Sequence, residues 1–476
     1  MVAGPLRSGW RVWWDLKGDE MTIEVRQDGG LLPLAEPTTT SIITMQPDRP
    51  RPIAVDLFAG AGGLSLGFEQ AGYDIAAAVE YDPIHAAVHE FNFPYSTTFC
   101  RDVSTITGRD IRDRSLIGDR EIHVVAGGPP CQGISLIGKR ALEDPRNKLM
   151  DEFARLVTEL QPRYFVMENV AGLTVGDHRE LLTEVVQTMS ASGYKVVLPW
   201  RVLQAADYGT PQSRRRLILM GARADVPMPT YPQSTVTPRT LRGGVESRDY
   251  SLPLGPSVWD AISDLPDAHS YLDLETSDTV RARLGDPSPY AAVLRGVMRD
   301  IHDYSYPRRF NPNILTSSAR TKHTDKSIDR FAATPPGTTE PVSRFLRLHP
   351  EGIANTLRAG TASDRGAYTA PRPIHPTLPR VITVREAARL HGYPDWFRFH
   401  VTKWNGFREI GNSVPARLAQ AVAAALLQAD GVTPVRQNEI SLGDPRLLEF
   451  TASQAERHFG ISERVIPQRN RDWKAA

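Results

Sequence analysis

The chain is 476 residues long, with 41% hydrophobic and 8% aromatic residues; this suits two or three globular domains of ~100–200 residues each and excludes a low-complexity chain. Its formal net charge is +1, so any nucleic-acid contact must come from local basic patches rather than from a global field. Two cysteines, Cys100 and Cys131, make no disulfide framework, zinc-ligand spacings are absent, and no apolar run approaches the ~20 residues needed to span a bilayer; a reducing, cytoplasmic setting with neither metal nor membrane is expected.

Residues 1–50 read as an N-terminal extension. Trp10, Trp13 and Trp14 lie among charges there, with no apolar signal core. Residues 31–52 are rich in Pro and Thr and read as a linker. Partial disorder is expected, and Met21 and Met45 are alternative candidates for the start. At Pro52 the pattern changes. A short apolar strand over 53–58 leads through a glycine turn to a short helix over 64–72. A strand over 75–80, a helix over 83–91 and strands over 97–100 and 122–126 follow. An amphipathic helix is predicted over 147–160, where Leu149, Phe153, Leu156, Val157 and Leu160 fall at helical spacing. A strand over 164–167, a helix over 178–191 and strands near 195–203 and 216–221 close this half. Such alternation predicts an α/β fold with a doubly wound, mostly parallel sheet. From about 225 to 345 the regularity fails, giving either a small irregular domain or a set of long functional loops. Pattern returns at 381–383, with a helix over 384–391 and an apolar helix over 415–428 opened by Pro415. The polar tail carries one candidate helix over 452–459.

Six places carry chemistry. In Asp56-Leu57-Phe58-Ala59-Gly60-Ala61-Gly62-Gly63, glycines at a strand-to-helix turn let backbone approach a ligand closely. The turn lacks the P-loop ending, and Ser65 occupies the third glycine position of a dinucleotide fingerprint, so a nucleoside without a diphosphate fits better. Glu80 ends the second strand, where an acid can grip both ribose hydroxyls, and Asp102 follows the third, where it could accept from an adenine amine. Acids in such places are also common helix caps.

Cys131 sits in Gly127-Gly128-Pro129-Pro130-Cys131-Gln132-Gly133, a rigid turn leaving the carboxyl end of a strand, the edge where open α/β sheets bind ligands. It is either an activated nucleophile or a small buried turn residue. Glu168, in Met167-Glu168-Asn169-Val170, falls on the same edge if the strands are parallel. Burial would keep its proton on, making it a donor to a ring nitrogen; capping of the next helix is the alternative. In Gln212-Ser213-Arg214-Arg215-Arg216, alternation sends Arg214 and Arg216 to one side and Arg215 to the other, towards phosphate or a pyrimidine carbonyl or simply into solvent. Gly411-Asn412-Ser413-Val414-Pro415 places Asn412 and Ser413 near the N-cap of the last apolar helix. Residues 304–330 interleave Tyr304, Tyr306 and Phe310 with Arg308, Arg309, Arg320, Lys322, Lys326 and Arg330, a pattern that fits a phosphate-contacting surface.

In this order, together with Arg385-Glu386-Ala387-Ala388-Arg389-Leu390-His391-Gly392-Tyr393-Pro394, the motifs resemble the DNA (cytosine-5)-methyltransferases of bacterial restriction-modification systems over roughly residues 52–430. The resemblance implies S-adenosylmethionine as methyl donor and a cytosine flipped out of double-stranded DNA. It implies that Cys131 attacks cytosine C6, that Glu168 bonds N3 and the exocyclic amine, and that Arg216 holds the base carbonyl with Arg214 in support. Phe58, Gly60, Gly62, Glu80, Tyr81, Asp102, Pro130, Asn412 and Ser413 would line the donor site. Residues 51–224 would form the catalytic domain, 225–380 the target-recognition domain and 381–430 a return to the catalytic domain, with 431–476 as a tail. A monomer in the cytoplasm, associated with the nucleoid, is implied, with room for a separately acting cognate endonuclease. Two departures stand out: Ile134-Ser135 replaces the family's Phe-Ser, and Tyr81 replaces the Trp common after the ribose-binding Glu. The rivals are an RNA cytosine methyltransferase of the same architecture and a catalytically silent DNA-binding homologue. The family's compact tRNA-acting relative carries a Cys-Phe-Thr element that this chain lacks.

Overall fold

The computed structural model describes residues 10–17, 20–27, 51–130, 148–176, 178–360 and 372–461. Two units separate at Arg51 and Pro52. In the first, β1 (Trp10–Lys17) and β2 (Glu20–Gln27) pair antiparallel, Trp10 opposite Gln27 and Lys17 opposite Glu20. No element is expected there from sequence, because the adjacent Trp13 and Trp14 break the strict alternation that identifies a half-buried strand.

The second unit is built on a sheet of eight strands among the described residues. From β3 (Ile53–Leu57) the chain runs through α1 (Gly63–Ala71), β4 (Asp74–Glu80) and α2 (Pro83–Asn92) to β5 (Thr97–Cys100). It then crosses back through α3 (Gly108–Asp113) to β6 (Ile122–Gly127), α4 (Lys148–Leu160), β7 (Tyr164–Val170) and α5 (His178–Ala191). Strands β8 (Tyr194–Val196), β9 (Arg201–Gln204) and β10 (Arg215–Arg223) complete the sheet. The order is β5-β4-β3-β6-β7-β10-β8, with β9 also on β10. β3 to β7 are mutually parallel and β10 runs antiparallel to its neighbours. Strand laying reverses between β3 and β6, so their carboxyl ends flank the crevice where such sheets bind ligands.

Helices cover both faces, as the alternation of buried side chains along each strand requires. Val55, Leu57, Val125, Phe165, Leu217 and Leu219 pack with α4 and α5. Ala54, Val124, Val166, Ile218 and Met220 pack with α1 and with α11 (Ala416–Ala429). Strand β7 extends three residues past its predicted end, because β10 continues the ladder as far as Arg216 opposite Val170. Glu168 therefore lies within a strand and caps no helix.

Among the described residues, 224–380 hold short elements: α6 (Val258–Ile262), β11 (Val280–Arg281), α7 (Pro289–Leu294), β12 (Ile314–Leu315) and α8 (Asp325–Ala333). After α9 (Val384–His391) comes α10 (Lys403–Asn412), then α11 and α12 (Ala452–His458). One core joins Val258, Ile262, Leu348 and Leu357 to Leu390, Phe397 and Phe407, and reaches Leu66 and Phe93 of the sheet's first half. The expected N-cap role of Asn412 and Ser413 is corrected. Gly411 and Asn412 close α10, and α11 starts only at Ala416 with Pro415 before it. Gly406 and Gly411 mask α10 in the sequence, yet both are dictated by packing: a Cβ on Gly411 would collide with the Arg358–Ala359 backbone, and one on Gly406 would come within 2.8 Å of Val384.

Candidate active site

Just past β3 three residues in five have positive φ: Phe58 at 62°, Gly60 at 56° and Gly62 at 102°. The left-handed region strains a residue such as Phe58, and backbone strain of this sort concentrates at ligand-holding turns. Gly62 has to be glycine, since a Cβ there would collide with the Phe93 ring. Nothing lies within 4 Å of the place a Cβ would take on Gly60, so the turn offers an open cradle. Glu80, at the end of β4, ties the turn down: Oε2 accepts the Gly60 N–H at 2.7 Å and Oε1 accepts the Asp82 N–H at 2.8 Å. Burial pushes the Glu80 pKa up, while His85 pulls against it. Tyr81 beside it is half exposed. Asp102 accepts from the Ser104 N–H at 2.9 Å and its hydroxyl at 2.8 Å, the cap geometry that was the alternative to adenine recognition.

The turn after α10 meets this loop. A Cβ on Gly63 would lie 2.6 Å from the Tyr393 hydroxyl and 2.8 Å from the Ser413 Cβ. The Ser413 hydroxyl donates to the Ile410 carbonyl at 2.9 Å and lies 3.0 Å from His391 Nε2. Asn412 is exposed. The structure thus brings Phe58, Gly60, Gly62, Glu80 and Ser413 together.

Across the crevice β6 and β7 run parallel with Gly127 opposite Met167, which sets Gly128 beside Glu168. A Cβ on Gly128 would stand 2.9 Å from Glu168 Oε2. The Asn169 side-chain amide donates to the Pro129 carbonyl at 3.0 Å and fixes the Pro-Pro turn. Pro130 is exposed, and Cys131, the next residue, lies outside the described residues, as do Ile134 and Ser135. Glu168 is 9% exposed and its Oε1 takes the Arg216 Nε at 2.7 Å. The pair forms because Ile218 opposes Glu168, which places Arg216 diagonally across the ladder on the same face. Burial raises the Glu168 pKa, with Arg216 and Arg214 pulling it down.

Arg214 and Arg216 share a side, as alternation predicts, but do different work. Arg214 is buried and donates to the carbonyls of Leu357 at 2.9 Å and of Gly411 and Ser413 at 2.8 Å each. It bolts the C-terminal turn to the sheet. Gln212, which sequence reasoning missed, does likewise: its carbonyl accepts the Leu357 N–H at 3.1 Å, and its amide donates to the Leu390 carbonyl at 3.3 Å and His391 Nδ1 at 3.0 Å. Its two-residue spacing from Arg214 is the signal that could have found it.

The C-5 cytosine-specific DNA methylase family model matches residues 54–428. The chain belongs to that family. It is 56% identical over 422 residues to the type II methyltransferase M.XorII of Xanthomonas oryzae pv. oryzae, a match covering 88% of this chain and 95% of that protein. To the type II methyltransferase M.DdeI of Desulfomicrobium norvegicum it is 32% identical over 394 residues, covering 78% and 87%. A crystal structure described as a DNA modification methyltransferase encoded within an E. coli prophage superposes with a TM-score of 0.62 at 32% identity, over 79% of this chain and 99% of that one. The protein is accordingly a DNA (cytosine-5)-methyltransferase.

In this methylase Arg308 of the basic and aromatic segment 304–330 is not available to phosphate. The Arg308 and Glu69 side chains are fully buried, with Nη1 on Oε1 at 2.9 Å and Nη2 on Oε2 at 2.7 Å. The guanidinium packs 4.6 Å from the Trp396 ring centre and 5.8 Å from that of Phe93. Arg309 pairs with Glu439, Arg320 with Glu275 and Arg330 with Glu340. The same interleaving of cations and rings serves an inward cation–π cage and an outward nucleic-acid face, so sequence alone could not separate them. Among the described residues no helix is long and apolar enough to cross a membrane.

Proposed function

We propose that this methylase transfers a methyl group from S-adenosylmethionine to C5 of a cytosine flipped out of a specific duplex sequence, through a covalent adduct between Cys131 and C6. The observation that carries the reading is the buried Glu168 carboxyl, set on β7 between Arg216 and the Gly128 backbone that leaves the end of β6 towards Cys131 in sequence. The open cradle at Gly60 and the orphaned buried oxygen Asp56 Oδ1 beneath the same turn fit a cationic nucleoside donor. Phe58, Gly60, Gly62, Glu80, Tyr81, Asp102, Pro130, Asn412 and Ser413 would line its site, and when bound it supplies an electrophilic methyl group.

The residues' chemistry follows from the poor nucleophilicity of an aromatic C5. Addition of the Cys131 thiolate at C6 breaks the aromaticity and moves electron density onto C5 and N3. Glu168, whose pKa burial raises, donates at N3 and accepts from the exocyclic amine. Arg216 keeps that carboxyl aimed and reaches towards the base carbonyl. Once C5 has gained the methyl group, loss of its proton to water and departure of the thiolate restore the ring, so one hard step becomes two easier ones. Extruding the base costs a few kcal/mol, which protein–phosphate and protein–base contacts offset.

The relatives' description as type II methyltransferases supports a place in a restriction-modification system. Base-resolution sequencing of DNA from cells expressing the chain should find 5-methylcytosine at one defined sequence, and Cys131→Ala should abolish it while DNA binding persists. Retained methylation in that variant would overturn the covalent route, and absence of any 5-methylcytosine the duplex assignment.

A further inference from the structure

Arg308 of segment 304–330 is turned inward, but Arg320 and Lys322 of the same segment share one neighbourhood with Arg372 and Lys403. Arg320 and Lys322 share a single carboxylate, Glu275, at 3.3 and 3.6 Å, and Lys322 stays 82% exposed. Arg372 donates from Nη1 to the Thr321 hydroxyl at 3.0 Å and lies over the Phe407 ring at 4.9 Å. Lys403, the first residue of α10, donates from Nζ to the Arg320 carbonyl. Neither Arg372 nor Lys403 has a carboxylate within ion-pair distance among the described residues, although both are half-buried. Burial, with Arg372 and Lys322 nearby, pulls the Lys403 pKa down. Half-buried like charges facing one another are costly unless an anion joins them.

We propose that Arg372, Lys403 and Lys322 form a phosphate clamp that takes a backbone phosphodiester of the DNA substrate. The inference rests on duplex DNA being the substrate and adds where the backbone is gripped. Geometry favours phosphate over a base edge. The Arg372 guanidinium lies over the Phe407 ring, the Lys403 ammonium is anchored by a carbonyl, and both can spare N–H groups for a point-like anion. Hydrogen bonds to Thr321 and to the Arg320 carbonyl hold the 320–322 loop as the frame of the clamp. Such a contact positions the duplex and carries no sequence information.

The test measures duplex affinity of the full chain against NaCl concentration, for the native protein, Arg372→Gln/Lys403→Gln and the charge-preserving Arg372→Lys/Lys403→Arg, on cognate and unrelated duplexes. In the Gln pair the slope of log affinity against log salt should become shallower by about 1 per lost phosphate contact, with affinity falling equally on both duplexes. The charge-preserving pair should retain most of the native slope. An unchanged slope in a Gln pair whose circular dichroism melt matches the native one would overturn the clamp. So would a loss confined to the melting temperature, which would make these residues a structural brace. A native chain that binds no duplex at all would instead remove the duplex reading and the clamp together.

Discussion

Two strand ends a short distance apart hold their carboxylates in opposite ways. At the end of β4, Glu80 spends both oxygens on backbone N–H groups of Gly60 and Asp82. On β7, Glu168 faces a guanidinium and the bare backbone of Gly128. Burial raises both pKa values, yet the first carboxylate organises a loop whereas the second is the one that, in the proposed mechanism, exchanges a proton with the base. A buried acid is thus not diagnostic by itself; what it bonds decides whether it builds a site or reacts within one.

The sharpest way to break this contrast is Glu168→Gln. Losing the titrating proton should lower kcat by roughly 10²–10⁴, the range for a general acid–base group, with donor KM little changed. Single-turnover methylation measures it, and a kcat within threefold of native would place Glu168 with Glu80 as a structural acid. Next comes Arg214→Met, which leaves the Leu357, Gly411 and Ser413 carbonyls without their donor. At ~1–3 kcal/mol for each unsatisfied buried group, urea unfolding should show a loss of at least ~3 kcal/mol. Glu80→Gln retains one acceptor but gives up charge-assisted bonds worth ~1.5 kcal/mol, so donor KM should rise roughly tenfold while kcat holds. An equal fall in kcat would mean that Glu80 acts in the transition state.

The smallest effect concerns pH. Burial pushes Glu409 up to about 8 and Asp56 up to about 7. Both folded values exceed the ordinary carboxyl values, so the folded state holds more protons between them. The stability these groups contribute is complete below about 4 and is lost progressively as pH rises towards 8. Glu409→Gln, which cannot ionise, should therefore gain on the native protein between pH 6 and pH 8 in urea midpoints. A gap that does not widen with pH would show that Glu409 is ionised throughout.

The sheet was legible because its strands are apolar runs separated by amphipathic helices, and both carboxylates of the contrast were readable from their places at strand ends. The hairpin of β1 and β2 and helix α10 were not, since paired tryptophans blur one period and packing glycines interrupt the other. Arg308 shows the deeper limit. Its partner Glu69 lies far away in sequence on α1, in the sheet's first half, and no local pattern tells a buried cation from a solvated one. Gln212 and Arg214 were half legible: strand alternation gave the side they face, while the carbonyls they bind belong to segments brought there only by the complete fold.

Gly67 lets α1 and α11 touch so closely that a Cβ on it would collide with Ala419. These two helices, adjacent in space, come from nearly opposite ends of the unit. Phe58, Gly60, Gly62, Glu80 and Glu168 all precede residue 170, yet the turn that carries Ser413 against Gly63 and the helix that braces α1 lie more than 240 residues later. A chain stopped short of α11 would leave α1 without the helix it packs against.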